Sequence, residues 1–233
     1  MKKAQIILIV LIFASPVCLA SDDHYVSIQV GGSMPTNKVD VREDPQNPFT
    51  ARLKSSPVFG ASIGTRVYNN LFAELEYAYT PNYSFSKSYS HGSGVELMTV
   101  STAAKIRSHS FFANLNYLIK HNSLPFTPYL TVGAGLANNR LQNVPVTTAM
   151  VNDDSVARLF KGQNKTSFAW QAGAGCLFPL NEKLELNVAI KYQNLGKIQS
   201  SAYDLNNQAS IASIPVKARL STVNLMFGLK YKF

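Results

Sequence analysis

The sequence predicts an all-β fold: an eight-stranded antiparallel transmembrane β-barrel with four long extracellular loops and short periplasmic turns. Three observations predict it. Apolar residues recur with a period of two along most of the chain, whereas a helix needs 3.6. The only long apolar run sits at the N-terminus, in the layout of an export signal. Connections between the alternating segments are short and long by turns, which is the asymmetry of outer-membrane barrels.

The N-terminus comes first. Lys2 and Lys3 precede the apolar run Ile6 to Phe13, Ser15 and Pro16 break it, and Ala20 closes it before Ser21. This reads as a secretory signal peptide over residues 1–20, with the barrel domain over 21–233. The run is shorter than the ~20 residues of a spanning helix. Val17 before Cys18 does not fit a lipoprotein signal. Removing residues 1–20 takes the net charge from +9 to +7 and leaves Cys176 as the single cysteine, so no internal disulfide can staple the mature chain.

The alternation then runs strand by strand. Val26, Ile28 and Val30 share one face against Ser27, Gln29 and Gly31. Phe59, Ala61, Ile63 and Val67 oppose Gly60, Ser62, Gly64 and Arg66; Leu71 to Tyr79 alternates with Glu74 and Glu76. Phe111 to Tyr117, Leu130 to Leu136, Phe168 to Phe178 and Leu184 to Ile190 repeat the pattern. The last segment sets Val223, Leu225, Phe227, Leu229, Tyr231 and Phe233 against Asn224, Met226, Gly228, Lys230 and Lys232. These are eight strands, most of them close to the ~9–11 residues that cross a bilayer at a tilt. The faces opposite the apolar ones are rich in Gly, Ser, Asn and Thr, which suits a narrow interior filled by small polar side chains. A soluble barrel would invert the pattern and carry more Lys and Glu outside.

Arg66, Glu74, Glu76, Glu185, Lys191 and Lys230 fall on the inward parity. In so narrow a barrel they must satisfy one another. The expected pairs are Arg66 with Glu74 or Glu76, and Glu185 with Lys191 or Lys230. Tyr77, Tyr79, Tyr117, Trp170, Phe178, Tyr231 and Phe233 lie near strand ends on the outward parity, where interfacial aromatic girdles form. Cys176 shares that parity, which argues against a reactive role.

The long loops are expected at about 36–56, 80–108, 137–166 and 193–218. They hold thirteen basic residues: Lys38, Arg42, Arg52, Lys54, Lys87, Lys105, Arg107, Arg140, Arg158, Lys161, Lys165, Lys197 and Lys217. Against seven acidic ones they carry six of the seven net positive charges of the mature chain. Such a rim steers polyanions, either lipopolysaccharide phosphates on the same cell or sulfated glycans on a host. No phosphate-cradling glycine loop, metal-binding cysteine spacing or nucleic-acid motif is present, so no cofactor, no metal and no nucleic-acid partner is expected. His91, Ser93 and Glu96 have a suggestive spacing, but a Gly/Ser-rich loop does not hold a base rigidly beside a nucleophile, and no enzyme activity is expected.

Pro125-Phe126-Thr127-Pro128-Tyr129, followed by Thr131-Val132-Gly133-Ala134-Gly135, resembles the P-F-x-P-Y-x-x-x-G-x-G strand of the opacity-type and surface-antigen outer-membrane barrels of Gram-negative bacteria. Residues 167–192 and the Glu74-Leu75-Glu76-Tyr77 segment fit the same pattern. The terminal Tyr231-Lys232-Phe233 resembles the signal by which such barrels are recognised by the assembly machinery, with Tyr231 and Phe233 as its aromatic positions. The resemblance implies a barrel in the bacterial outer membrane, in contact with its lipid and lipopolysaccharide. It also implies loops that act as an adhesin or surface antigen towards host glycans or proteins. The alternatives are a small-solute channel or structural envelope protein and, less favoured, an outer-membrane hydrolase.

Overall fold

The computed structural model describes residues 24–41, 49–91, 98–120, 123–150, 153–201, 203–206, 209–210 and 216–233. The expected signal peptide, residues 1–20, lies outside them. The described chain forms fourteen strands: β1 His24–Pro35, β2 Lys38–Val41, β3 Phe49–Arg52, β4 Ser56–Tyr68, β5 Leu71–His91, β6 Met98–Leu118 and β7 Thr127–Leu141. They continue as β8 Val144–Met150, β9 Asp153–Phe160, β10 Asn164–Pro179, β11 Leu184–Gln199, β12 Tyr203–Asp204, β13 Ala209–Ser210 and β14 Val216–Lys232.

Eight of these are staves of a closed antiparallel barrel. Its ring runs β1–β4–β5–β6–β7–β10–β11–β14, and β14 pairs back to β1 from Tyr25↔Lys232 to Pro35↔Thr222. Each stave contains one of the eight alternating segments. Closure removes every open edge, the one way a sheet satisfies its backbone in lipid. Outward residues form an exposed apolar belt: Ile28 is 67% exposed and Phe168 66%, with Val132, Phe111, Leu225 and Leu75 beside them. In water such a belt would be a severe liability. In a bilayer it is the solvated face.

The long connections differ from loops. β5 and β6 run on as a paired ribbon to His91 and Met98, well past the length a bilayer needs. The hairpin β8–β9 pairs alongside β6, and β2–β3 pairs alongside β14. The segments expected to be irregular are therefore largely strand. The physical reason is edge pairing: a ribbon leaving the membrane offers unpaired N–H and C=O groups, and a neighbouring hairpin satisfies them.

These extensions carry their own core. Val39, Tyr83, Phe85, Ile106, Leu141, Phe160, Leu195, Ile198 and Leu220 are buried together above the polar barrel interior. Tyr83 and Phe85 reach it through a register shift between Thr80 and Tyr83. Inward positions on β5 are even up to Thr80 and odd from Tyr83. Pro81 lies in this bulge, and the Asn82 amide donates to Ser56 Oγ at 3.2 Å. A strict alternation read through residue 80 would have turned these two rings outward.

Candidate functional site

Two regions can do work: the barrel interior and the face beyond the membrane. The interior is built around two carboxylates on β5. Glu76 Oε1 accepts from Lys191 Nζ at 2.7 Å, and its Oε2 accepts from Asn114 and Gln171, both at 2.7 Å. Glu74 Oε2 accepts from the Tyr25 hydroxyl at 2.8 Å and from Ser62 Oγ at 3.0 Å. Its Oε1 accepts from Asn114 at 2.9 Å, so one amide bridges both acids. Gln193 donates to Gln171 at 2.7 Å. These groups come from β1, β4, β5, β6, β10 and β11, so the network ties six of eight staves across the barrel axis.

A second ionic group lies nearer the periplasmic end. Glu185 sits 3.9 Å from Lys230 Nζ and accepts a short hydrogen bond from Lys232. Lys230 Nζ also lies 3.7 Å from the centroid of the Tyr25 ring, a cation–π contact. The glycines of the inward face are slots for these large groups. A Cβ on Gly64 would come within 2.3 Å of the Tyr25 ring, and one on Gly175 within 2.6 Å of the Tyr129 ring.

Of the six expected interior charges, Glu74, Glu76, Glu185, Lys191 and Lys230 are buried. Arg66 is a correction: it is exposed near the end of β4, with its guanidinium 5.5 Å from the Phe72 ring centroid. The register shifts between Arg66 and Tyr68, and Phe72 and Tyr25 already fill the barrel at this level. The expected partners are corrected with it: Glu76 is matched by Lys191, and Glu74 by neutral donors. Sequence reading missed the neutral members Tyr25, Asn114, Gln171 and Gln193; their inward parity was the only signal. The room left between Tyr25, Glu74, Asn187 and Lys230 is about 20 Å³, space for one water.

Aromatic side chains gather at both ends of the belt. Tyr77 and Tyr79 stack on His109, whose Nδ1 lies 2.8 Å from the Tyr77 hydroxyl, and Trp170 meets Tyr192 at 5.4 Å. At the other end Phe178 meets Phe126 at 5.4 Å, and Tyr231 meets Phe233 edge-on at 5.5 Å. Tyr117 is exposed on the outer face. The Phe233 backbone N–H donates to the His24 carbonyl at 3.1 Å and ties the last residue to the start of β1.

Beyond the membrane, Lys38, Arg52, Lys54, Lys105, Arg107, Arg140, Lys161, Lys197 and Lys217 are exposed. Lys165 is half-buried, and its Nζ donates to Gln199 at 3.1 Å. Arg42 lies outside the described residues, and Lys87 and Arg158 are described in their backbone only. Arg219 is a further exposed cation that the expected loop boundaries left out. Ser93 and Glu96 lie outside the described residues, and His91 is the last residue of β5. Among the described residues no group of three His, Cys, Asp or Glu side chains could hold a metal ion.

A closed barrel with an apolar outer belt, a polar filled interior and aromatic girdles defines the class: an integral outer-membrane β-barrel. Residues 6–233 match the model of the family described as outer membrane protein beta-barrel domain, and the chain belongs to that family. It resides in the bacterial outer membrane, and the resemblance to outer-membrane barrel surface proteins drawn from the sequence holds at this level. It is similar to outer membrane protein PagN of Salmonella typhimurium, 26% identical over 129 residues, which is 55% of this chain and 51% of that protein. The match thus spans about half the length of that curated relative. Among solved structures, OprG of Pseudomonas aeruginosa is similar with a TM-score of 0.55 at 12% identity, covering 91% of this chain and 97% of that one. The outer membrane protease OmpT of Escherichia coli has a TM-score of 0.51 at 11% identity, covering 92% and 98%. These two likenesses show the fold alone.

Proposed function

We propose that this protein is a surface adhesin whose strand extensions beyond the membrane present a basic surface to anionic host glycans or proteins, with the barrel as their anchor. The observation that carries this reading is the division of the fold. The interior is filled by a polar network centred on Glu74 and Glu76, while β5–β6 and β8–β9 stand beyond the membrane around a core of their own. A filled barrel supports an anchoring role over a conduit for solutes. The likeness to an outer-membrane protease carries no residue roles at such low identity, and no residue of this chain is assigned chemistry. The terminal Tyr231 and Phe233 serve recognition by the barrel assembly machinery in this reading.

The test is adherence. A non-adherent Gram-negative strain displaying this protein is expected to bind cultured host cells several-fold better than the vector control, and soluble heparin is expected to compete. Equal adherence at matched surface levels would sink the adhesin reading. Planar-bilayer recording separates the alternative: silence is expected, and reproducible ion-selective openings would favour a channel.

A further inference from the structure

The outer wall carries a row of cations that no linear reading of the chain assembles. Lys38 on β2 stands opposite Arg52 on β3. Lys197 on β11 stands opposite Arg219 on β14. β2 continues the register of β1 along β14: Pro35 lies opposite Thr222, Thr36 N–H donates to the Ser221 carbonyl at 2.8 Å, and Asp40 lies opposite Lys217. The same register sets Lys38 opposite Arg219. Four adjacent strands thus present Arg52, Lys38, Arg219 and Lys197 side by side, at ~4.8 Å between strands and about 14 Å from end to end.

All four point outward. The residues beside them, Ala51, Leu53, Val39, Leu220 and Ile198, are buried in the core of the extension, whereas the four cations are exposed. Among the described residues none of the four is ion-paired with an acid. The nearest acid in register, Asp40, stands opposite Lys217, one step further from the membrane. Like charges directly opposite one another across strands are destabilising. A row of four persists at least cost where counter-anions are supplied in place.

The position says which anions. Arg219 lies four residues beyond Val223, which adjoins the exposed Leu225 and Phe227 of the lipid belt. Four strand residues are about 14 Å, or roughly 10 Å of height at the tilt of a barrel wall. The row therefore faces sideways just above the hydrocarbon, at the level of lipid headgroups, and long basic side chains there lean towards the interface. A second like-charged pair, Arg107 opposite Arg140, stands four residues beyond Phe111 and Leu136 on the far side of the ring. Two basic arcs beyond the belt on opposite flanks fit a ligand that surrounds the barrel.

We propose that Arg52, Lys38, Arg219 and Lys197 bind the phosphate groups of the anionic glycolipid in the outer leaflet, holding lipopolysaccharide as an annular ligand. Guanidinium groups grip phosphate oxygens in pairs, and the lysines contribute point charge. This goes beyond the adhesin reading and does not depend on it.

The test uses the full mature chain folded into phosphatidylcholine vesicles containing either phosphorylated or enzymatically dephosphorylated lipopolysaccharide, with glycolipid retained after detergent extraction as the readout. The protein is expected to retain the phosphorylated form selectively. Lys197→Gln with Arg219→Gln is expected to lower retention roughly thirtyfold, at about fivefold per cation near an anionic surface. Lys197→Arg with Arg219→Lys is expected to keep most of it. Heat-shifted gel mobility reports folding, and Lys38→Gln, on the exposed hairpin, replaces the double variant if that variant fails to fold. Equal retention of both glycolipid forms, or a wild-type level from folded charge-neutral variants, would overturn the proposal. So would loss of free heparin binding with lipopolysaccharide retention intact, since the row would then read a soluble polyanion. Failure of host-cell adherence with retention unchanged would overturn only the adhesin reading.

Discussion

Replacing Lys191 with Met isolates the electrostatics of the interior. The Lys191 ammonium lies 2.7 Å from Glu76, and both side chains are nearly inaccessible, at 3% and 1% exposure. Met keeps much of the volume and removes the charge, so Glu76 is left as a buried anion. Breaking one side of a buried pair costs about 3–5 kcal/mol. Glu76 keeps two neutral donors at 2.7 Å, Asn114 and Gln171, which places the loss near the lower end, about 3 kcal/mol. That corresponds to a change of roughly 150-fold in the folding equilibrium. Trp170, the single tryptophan, sits on the lipid face and reports insertion. Urea titration of the refolded barrel in vesicles, followed by its fluorescence, gives the number. Adding Glu76→Gln to Lys191→Met removes both charges together and is expected to recover at least half of the loss. A single-variant loss below about 1 kcal/mol, or a double variant worse than the single, would refute the view that the pair is a mutually compensating buried unit.

Further outcomes follow from the same geometry. Gly64→Ala drives a methyl into the Tyr25 ring and is expected to cost about 1–3 kcal/mol in the same titration, with relief when Tyr25→Leu is added. Ile28→Arg puts a charge on the lipid face and is expected to cost about 2–4 kcal/mol near the midplane, whereas Lys161→Glu on the exposed extension is expected to change stability by less than about 0.5 kcal/mol. Phe233→Ala is expected to lower the amount of protein in isolated outer membranes while leaving refolding into vesicles nearly unchanged; equal membrane levels would remove its role as an assembly signal. Tyr83→Ala, which empties part of the extension core, is expected to increase proteolysis beyond the membrane without loss of the heat-shifted barrel band.

The sequence by itself determined the barrel. An inward or outward assignment repeats every two residues, so Glu74, Glu76, Glu185, Lys191 and Lys230 could be placed inside and the apolar stripes outside before any pairing was known. Only the tertiary structure decided what sits beside what. The partner of Glu76 is on β11, the fourth stave after β5 around the ring, and is reached through the lumen; nothing local to residue 76 names Lys191. Bulges between Thr80 and Tyr83 and between Asn194 and Lys197 shift the parity, so Tyr83, Phe85 and Ile198 enter a core that strict alternation denies them. The cationic row draws Arg52, Lys38, Arg219 and Lys197 from positions up to 181 residues apart in the numbering of this chain. The physical reason is one of range: period and parity are properties of a single strand, whereas register, bulges and hairpin docking are settled by backbone groups seeking partners across the sheet.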